Sequence, residues 1–313
     1  MITTGYLIYN FIAFALQVPI GYLADQSKIS NTYFAIFGTI AVALGVAFPY
    51  FAWVKLIMCA LGNAFFHIGG GIDSLINANG RYARSGIFIS FGSIGVTIGT
   101  LTGKHNLLPA WFLITILIIC AALQLMYCKA DNRSKVARFN LKPAIINRAD
   151  IVIYICMISI IIRALVGSYT PITWRTSYIL TLLPTLCVFF GKFSGGLLAD
   201  KFGAKNVTVI SLVIAAPLLA FYNSNIILCC IGLLLFNITT SITLCIIVSK
   251  LPNNPGLGFG LTTLALFIGT AFCFFFIMSS SLRPILLITF TIISAISIYL
   301  TASNRFKKFE EEL

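Results

Sequence analysis

A small number of charged and polar side chains lie inside long apolar runs of this sequence, where a charge is costly and therefore informative. Arg163 lies thirteen residues after the start of an apolar run at 150–169. The planar fork of its guanidinium suits a carboxylate or a phosphate. Two interpretations stay open. Arg163 binds an anion, or it forms a salt bridge to another helix, for which Asp73 is a candidate.

Two further polar groups are spaced to share one helix face. Asn63 and His67 are four residues apart. An imidazole inside an apolar segment is a candidate proton carrier or substrate contact, and the alternative is a histidine that is hydrogen-bonded within helix packing. Asn237, which precedes the polar stretch 239–241, either contacts a substrate or bonds across helices.

Four more charged residues are candidates for coupling or for ion pairing. Asp73 precedes Arg81 by eight residues and Arg84 by eleven. This acid either pairs with one of the two arginines or serves as a protonation site. Lys192 lies eight residues, about two helical turns, before an acid at the end of its own apolar run.

The composition indicates a membrane protein. Hydrophobic residues make up 59% of the 313 positions, charged residues make up 9%, and the mean hydropathy is +1.00. A soluble domain carries about 25% charged residues, so we expect a chain that crosses the bilayer many times. The net charge of +13 does not indicate nucleic-acid binding, because the basic residues lie mainly in short loops between apolar runs.

The sequence lacks the patterns of common catalytic and cofactor sites. It contains no Gly-rich phosphate loop that ends in Lys-Ser/Thr, no G-x-S-x-G stretch and no cluster with metal-ligand spacing. Its nine cysteines lie mostly inside apolar runs and are expected to be small packing residues. We therefore expect neither an enzyme nor a bound metal or other cofactor.

Apolar segments of membrane-spanning length follow one another along the chain. A transmembrane helix needs about 20 mainly apolar residues, and backbone groups in hydrocarbon must find their hydrogen bonds internally. These conditions predict an all-α polytopic membrane protein with about eleven transmembrane helices. The predicted spans are roughly 3–24, 32–50, 54–77, 85–103, 107–128, 150–169, 174–198, 206–222, 225–249, 257–279 and 284–302.

The longest polar stretch is rich in basic residues and divides the chain. It is a linker at 129–149 between an N-terminal bundle of five helices at 1–128 and a C-terminal bundle of six at 150–302, and a tail follows at 303–313. A cytoplasmic linker puts fifteen of the twenty-one basic residues inside and four outside. The positive-inside rule then predicts an N-terminus outside and a C-terminus in the cytoplasm.

One motif occurs twice, each time at the end of a predicted span. The stretch 21–25 reads G-Y-L-A-D, and the stretch 196–200 reads G-L-L-A-D, 175 residues later. The second copy continues into a glycine turn with lysines, whereas the first has Gln26 and lacks the following glycine. The positions that carry the motif are Gly21 and Asp25 in the first copy and Gly196, Asp200, Lys201, Gly203 and Lys205 in the second.

The second copy resembles the signature loop of the major facilitator superfamily, G-x-L-A-D-R/K-x-G-R/K-R/K, and the first copy keeps its opening positions. The resemblance covers nearly the whole chain through the repeat order, the paired loops and the linker. It implies two helical bundles around a midplane cavity, and alternating access in which the halves rock about a bound solute. It also implies that Asp25 and Asp200 form a cytoplasmic gate, in which each acid pairs with basic groups and a helix N-terminus.

The family has six helices in each half, but five predicted spans precede the linker here. The repeat therefore predicts that the chain lacks the family's first helix. Either the start of the protein has been placed too late, or the protein has eleven helices. We favour the first interpretation, because the cavity would otherwise lose a wall.

The resemblance implies a secondary transporter that is driven by a gradient. Arg163 and the scarcity of buried acids favour a small organic anion or polar metabolite as the substrate. The resemblance implies a proton or solute gradient as the energy source, and a monomer in the cell membrane. The Ile-, Asn- and Lys-rich composition is typical of an AT-rich bacterium. The alternatives are a permease that exports drugs or amphipathic compounds, and a truncated membrane protein that transports nothing.

Overall fold

The computed structural model describes residues 2–48, 50–105, 107–127, 135–139, 143–276 and 278–303. All regular structure within these residues is helical. Residue 128, part of the predicted linker at 129–134 and 140–142, and the tail from residue 304 onward lie outside the described residues.

The helices follow the predicted order of spans. Ten helical segments are long and apolar enough to cross a membrane, and α3 is apolar but shorter, with 17 residues. The prediction of about eleven apolar helices in a multi-pass protein is confirmed. The helices are α1 Ile2–Asn10, α2 Gln17–Gln26, α3 Asn31–Ala47, α4 Ala52–Ile76, α5 Ala83–Lys104, α6 Ala110–Tyr127, α7 Ala149–Tyr169, α8 Tyr178–Phe202, α9 Ala204–Phe221, α10 Ile226–Asn237, α11 Thr239–Ser249, α12 Pro255–Phe275 and α13 Arg283–Thr301.

Helix α8 begins four residues later than the sequence predicts. Ser177 caps it, and the Ser177 side chain accepts a hydrogen bond from the Leu180 amide at 3.3 Å. Trp174 lies before the helix and donates its indole N–H to the Asn223 carbonyl at 3.0 Å. A serine cap and an indole bond to a neighbouring loop therefore set the start of α8, rather than the hydropathy of the segment.

Two predicted spans are interrupted, which the sequence did not predict. A π-helical turn at Phe11–Ala15 separates α1 from α2. The fully buried Gln17 side chain donates to the Ala13 carbonyl of this turn at 2.6 Å. The second interruption lies at Ile238, between α10 and α11, where the Ile238 amide bonds back to Leu235. The Gln17 side chain satisfies a carbonyl at the first interruption. At the second, a backbone bond that spans three residues instead of four does so.

The chain forms two compact units, and each combines segments from before and after the linker. The predicted bundle boundaries at 1–128 and 150–302 remain a prediction. The first unit consists of Met1–Asn77, Ile98–Ala137 and Asn253–Phe267, and the second consists of Ala78–Thr97, Arg138–Pro252 and Ile268–Leu313.

The first unit is built on a close contact between α3 and α4. A Cβ added at Gly38 would meet the Phe66 amide, and one added at Gly69 would meet the Asn31 carbonyl at 2.5 Å. Both glycines therefore let the two backbones touch, which is the usual way in which membrane helices gain packing energy.

The second unit has α11 at its centre. Nine of its eleven residues are buried, and it packs on α7, α8 and α9. Helix α8 crosses α10 and α11 at two glycines: a Cβ at Gly191 would meet the Leu234 carbonyl, and one at Gly195 would meet the Ile238 carbonyl. This packing holds the interruption at Ile238 against α8.

We expect Gly195→Ala to lower the stability of the protein. The added methyl group would clash with the Ile238 backbone, where the Cα atom lies at 3.0 Å, and overpacking of this kind costs about 1–3 kcal/mol. Thermal unfolding in detergent, followed by tryptophan fluorescence, measures the effect. Gly95→Ala is the matched control, because its Cβ would meet nothing within 4 Å. Equal melting temperatures for the two variants would contradict the packing argument.

Candidate substrate site and helix-end contacts

Arg163 lies on α7, is only 7% exposed, and contacts neutral groups. Its Nε donates to the Ser159 carbonyl at 3.4 Å. One terminal nitrogen, Nη1, donates to the Thr239 hydroxyl, and the other, Nη2, donates to the Thr243 hydroxyl at 2.7 Å. The two threonines are one turn apart on α11, so α11 presents a pair of oxygens to the fork of the guanidinium.

The threonine hydroxyls are oriented by backbone carbonyls one turn earlier in the chain. Thr239 donates its hydroxyl hydrogen to the Phe236 carbonyl at 3.1 Å, and Thr243 donates to the Thr239 carbonyl at 3.1 Å. Their lone pairs are thereby left to accept from Arg163. A guanidinium has five N–H donors, and these contacts use three of them.

The positive charge of Arg163 has no acidic partner among the described residues. Among the described residues, the salt bridge with nitrogen and oxygen within 4 Å is that of Arg148 with Asp150, at 2.9 Å. Asp73, the predicted partner, belongs to the first unit, where its carboxylate accepts from the Asn31 amide at 3.0 Å. Hydroxyl oxygens stabilise the guanidinium but do not neutralise it.

Lys192 is a second cation of the second unit, and it is partly buried. It is the fifteenth residue of the 25-residue α8, and its Nζ donates to the Ser93 hydroxyl of α5 at 2.9 Å. Gly86 of α5 lies against the Lys192 carbonyl, which brings the two helices close together. No acidic side chain pairs with Lys192 in the described ranges.

Asn237 lies at the end of α10, beside the interruption. Its side-chain amide donates to the Leu233 carbonyl at 2.8 Å, and its Cβ faces Gly191 of α8. Arg163 and Asn237 thus flank the same interruption at Ile238, because Arg163 bonds to the first residue of α11.

His67 and Asn63 belong to the first unit. The His67 Nδ1 lies 3.0 Å from the Asn63 backbone carbonyl. A carbonyl oxygen only accepts, so Nδ1 carries a hydrogen in this contact. The Asn63 side chain lies near the Tyr9 hydroxyl. The roles of His67 and Asn63 as substrate contacts remain predictions.

The first signature acid caps a distant helix. Asp25 accepts from the Gly256 amide through Oδ1 and from the Leu257 amide through Oδ2, both at 2.8 Å. These amides open α12 and have no acceptor within the helix. The positive end of the helix dipole adds to the attraction. A Cβ at Gly21 would meet the Gly256 carbonyl, so this glycine is what allows the approach.

The second signature acid makes the corresponding bonds. Asp200 accepts from the Tyr82 amide at 2.8 Å and from the Ala83 amide at 3.0 Å, where α5 begins. Gly196 allows the approach, because its Cβ would meet the Tyr82 carbonyl at 2.5 Å. The positive charge of Arg81 also attracts the Asp200 carboxylate. Helix α5 in the first repeat corresponds to α12 in the second. Asp25, which precedes the linker in sequence, binds a helix that follows it, and Asp200, which follows the linker, binds a helix that precedes it.

The turns that follow the two acids differ. Gly203 ends α8 with φ of 89°, a conformation that disfavours a side chain. The first copy ends instead at Ser27, with φ of −77°. The missing glycine of the first copy therefore costs nothing, because its turn does not use positive φ. The basic residues of the second copy contact aromatic rings: Lys201 lies 5.2 Å from the Phe202 ring centre, and Lys205 lies 3.5 Å from that of Tyr299.

Arg81 and Arg84 lie in the second unit and line a cavity of about 430 Å³ with Ala78, Asn79 and Ala83. Asp73 lies in the first unit, so its pairing with either arginine remains a prediction. Within the described residues, no group of three or more histidine, cysteine or acidic side chains is placed to hold a metal ion.

Sequence reasoning missed Ser93, Gln17 and Lys135. Ser93 is the partner of Lys192, and Gln17 fills the π-helical turn. Lys135, in the linker, donates to carbonyls beside Asp25. A lone serine or linker lysine carries no spacing signal. Gln17 does lie eight residues before Asp25, as Lys192 lies eight before Asp200, but this spacing does not reveal the π-helical turn.

Comparison with known proteins finds similarity in structure. No protein-family model matches the chain, and no curated protein matches it in sequence. The chain is similar to the Escherichia coli fucose:proton symporter FucP, with a TM-score of 0.64, 14% identity, and coverage of 94% of this chain and 87% of that one. A structure of FucP in the outward conformation has a TM-score of 0.66, 14% identity, and coverage of 93% and 87%. The human organic anion transporter MFSD10 has a TM-score of 0.63, 13% identity, and coverage of 94% and 83%.

These similarities extend over most of each chain and agree with the order of helices and the paired signature loops. At such low identity they establish the architecture rather than the substrate. The chain has the fold of the major facilitator superfamily transporters.

Proposed function

We propose that this protein is a secondary transporter that carries a small organic anion across the membrane by alternating access. The observation that carries the proposal is Arg163. It is buried in a membrane-spanning helix and bonded to neutral oxygens, with no acid paired to it in the described part of the chain. A buried cation of this kind is expected to bind an anion that arrives from solution.

Energetics support an anionic substrate. A charged side chain at the centre of a transmembrane helix costs about 2.5–3.5 kcal/mol on insertion scales. Hydroxyl contacts offset part of this cost, and an anion on the remaining N–H groups of Arg163 would offset more. Lys192, whose polar partner is Ser93, adds to the same unit a second cation that has no acidic partner among the described residues.

The fold by itself does not select the substrate. Its similar structures include a fucose:proton symporter and an organic anion transporter. Arg163 favours the second kind of substrate, since a neutral sugar would leave the guanidinium without a counter-charge. Proton coupling is part of the proposal, with His67 and Asp73 as the groups that would take up the proton.

The signature acids support alternating access. Asp25 and Asp200 each bind the start of a helix from the other side of the linker. We use the name gate for these two acids together with the helix starts at Gly256–Leu257 and Tyr82–Ala83. In the proposed cycle the gate bonds form when the cytoplasmic side is closed, and they break when it opens.

The test is substrate counterflow in proteoliposomes that contain the purified protein. We expect saturable exchange of a radiolabelled carboxylate, and weak or no exchange of a neutral sugar or an organic cation. Protein-free liposomes supply the background. Saturable exchange of the sugar or the cation, with none of any carboxylate or phosphate ester in the panel, would refute the anion proposal. No exchange of any solute would favour the alternative of a membrane protein that transports nothing.

A further inference from the structure

The linker residue Lys135 is bonded to the turn that follows the first signature acid. Its Nζ donates to the Ala24 carbonyl at 2.5 Å and to the Ile29 carbonyl at 2.8 Å. Ala24 lies in the last turn of α2, and Ile29 lies two residues before α3 begins. A single ammonium therefore ties the end of one helix to the approach of the next.

The position is favourable for a cation. The carbonyl end of α2 carries the negative pole of the helix dipole, and a lysine beside it is stabilised. The Phe34 ring centre lies 5.7 Å from Nζ, which adds a cation–π contact. Burial lowers the pKa of Lys135, and the nearby Asp25 and Asp73 carboxylates act in the opposite direction. Lys135 is thus attracted to Asp25 and Asp73, which lie in the same unit.

The first signature loop lacks a feature that this lysine can supply. The second copy has Lys201 directly after its acid, whereas the first has Gln26, which donates to the Asn254 side chain at 3.3 Å. The first loop has its own lysine, Lys28, but that side chain is exposed. The cation at the end of α2 comes instead from a residue 111 positions further along the chain.

We infer that Lys135 is a positioning residue of the gate: it holds the end of α2 so that Asp25 meets the start of α12, in place of the basic residue that the first signature loop lacks. The inference rests on the proposed function for the word gate. The contacts among Lys135, Asp25 and α12 can be tested without transport. In this role, the linker connects the two halves and also, through Lys135, stabilises the gate.

Hydrogen exchange at the start of α12 tests the inference. The Gly256 and Leu257 amides have no acceptor inside the helix, so their protection reports the Asp25 bonds directly. In the purified full-length protein, we expect Lys135→Met to speed exchange in the peptide that covers these two amides by at least about threefold. Lys135→Arg should keep protection near that of the unmodified protein, because it retains the charge and the donors.

Three comparisons make the experiment specific. Asp25→Asn is the positive control and should speed exchange at the same peptide. Lys28→Met removes the charge of an exposed lysine in the same turn and should leave exchange at that peptide unchanged. Exchange at the Tyr82 and Ala83 amides, which report the Asp200 bonds, should not change in any of these variants.

Two outcomes would overturn the inference. In the first, Lys135→Met leaves exchange at Gly256 and Leu257 unchanged. In the second, it speeds exchange at both helix starts alike, which is general loss of stability rather than positioning. The hydrogen-exchange measurement needs no substrate. A protein without counterflow activity can therefore still show the predicted effect of Lys135→Met, so failure of the transport proposal is distinguishable from failure of the Lys135 inference.

Discussion

Arg163→Ala is expected to abolish saturable uptake of an anionic substrate while the protein still inserts and folds. The substitution removes the buried cation that would bind the anion. Hydrogen bonds between charged groups contribute about 1.5–3 kcal/mol each, so the loss of two corresponds to a decrease in kcat/KM of at least about 100-fold. Initial rates of uptake over a range of substrate concentrations, normalised to the amount of protein, measure the effect.

Arg163→Lys sharpens this prediction. Lysine keeps the charge but loses the planar fork that reaches both Thr239 and Thr243. We expect it to abolish transport as well. Arg148→Ala is the matched control, because that arginine is exposed and pairs with Asp150 at the start of the same helix. Unchanged uptake by both Arg163 variants would remove the anion argument. Lower thermal stability with normal uptake would assign Arg163 to packing between α7 and α11.

Neutralising the two signature acids is expected to slow transport strongly. In Asp25→Asn or Asp200→Asn, one carboxylate oxygen becomes an NH2 group that faces a backbone N–H, so a hydrogen bond and the attraction to the helix dipole are both lost. Losses at a helix cap cost about 1–2 kcal/mol. If the gate must close in each cycle, turnover should fall by about 5- to 30-fold per site.

The double variant provides the stronger comparison. The two acids share no hydrogen-bond partner, so their effects should add in free energy and multiply in rate. Exchange of labelled substrate across proteoliposomes measures turnover. Asp150→Asn is the control, since this acid is exposed and pairs with Arg148. If the double variant transports at the normal rate, the gate hypothesis is wrong.

The helices could be predicted because the length of an apolar run is a local property of the sequence. Each predicted span corresponds to a helical segment, and the ends differ by a few residues. The differences have specific causes. Helix α8 begins at its serine cap, while hydropathy alone placed the start at residue 174. The interruptions at Phe11–Ala15 and Ile238 leave the hydropathy unchanged, so no window of apolar residues reveals them.

The candidate site could be predicted only as a set of residue types. The cost of burying a charge singled out Arg163 from the sequence, and its place two turns before Asp200 singled out Lys192. Their partners could not be found that way. Thr239 lies 76 residues from Arg163, and Ser93 lies 99 residues from Lys192. Such pairs depend on which helix faces meet, and the spacing along one helix does not specify this.

The sequence by itself determined the number and order of the apolar helices, the repeat, and the two acids at equivalent positions. The reason is that hydropathy and motif spacing are read along the chain. The tertiary structure decided what those acids bind. Asp25 meets amides 231 and 232 residues away, and Lys135 reaches back 111 residues to the same helix end. The contacts of the two acids depend on the close approach of backbones at Gly21 and Gly196. The sequence shows that these residues are glycines, but only the folded structure shows which backbone lies against each of them.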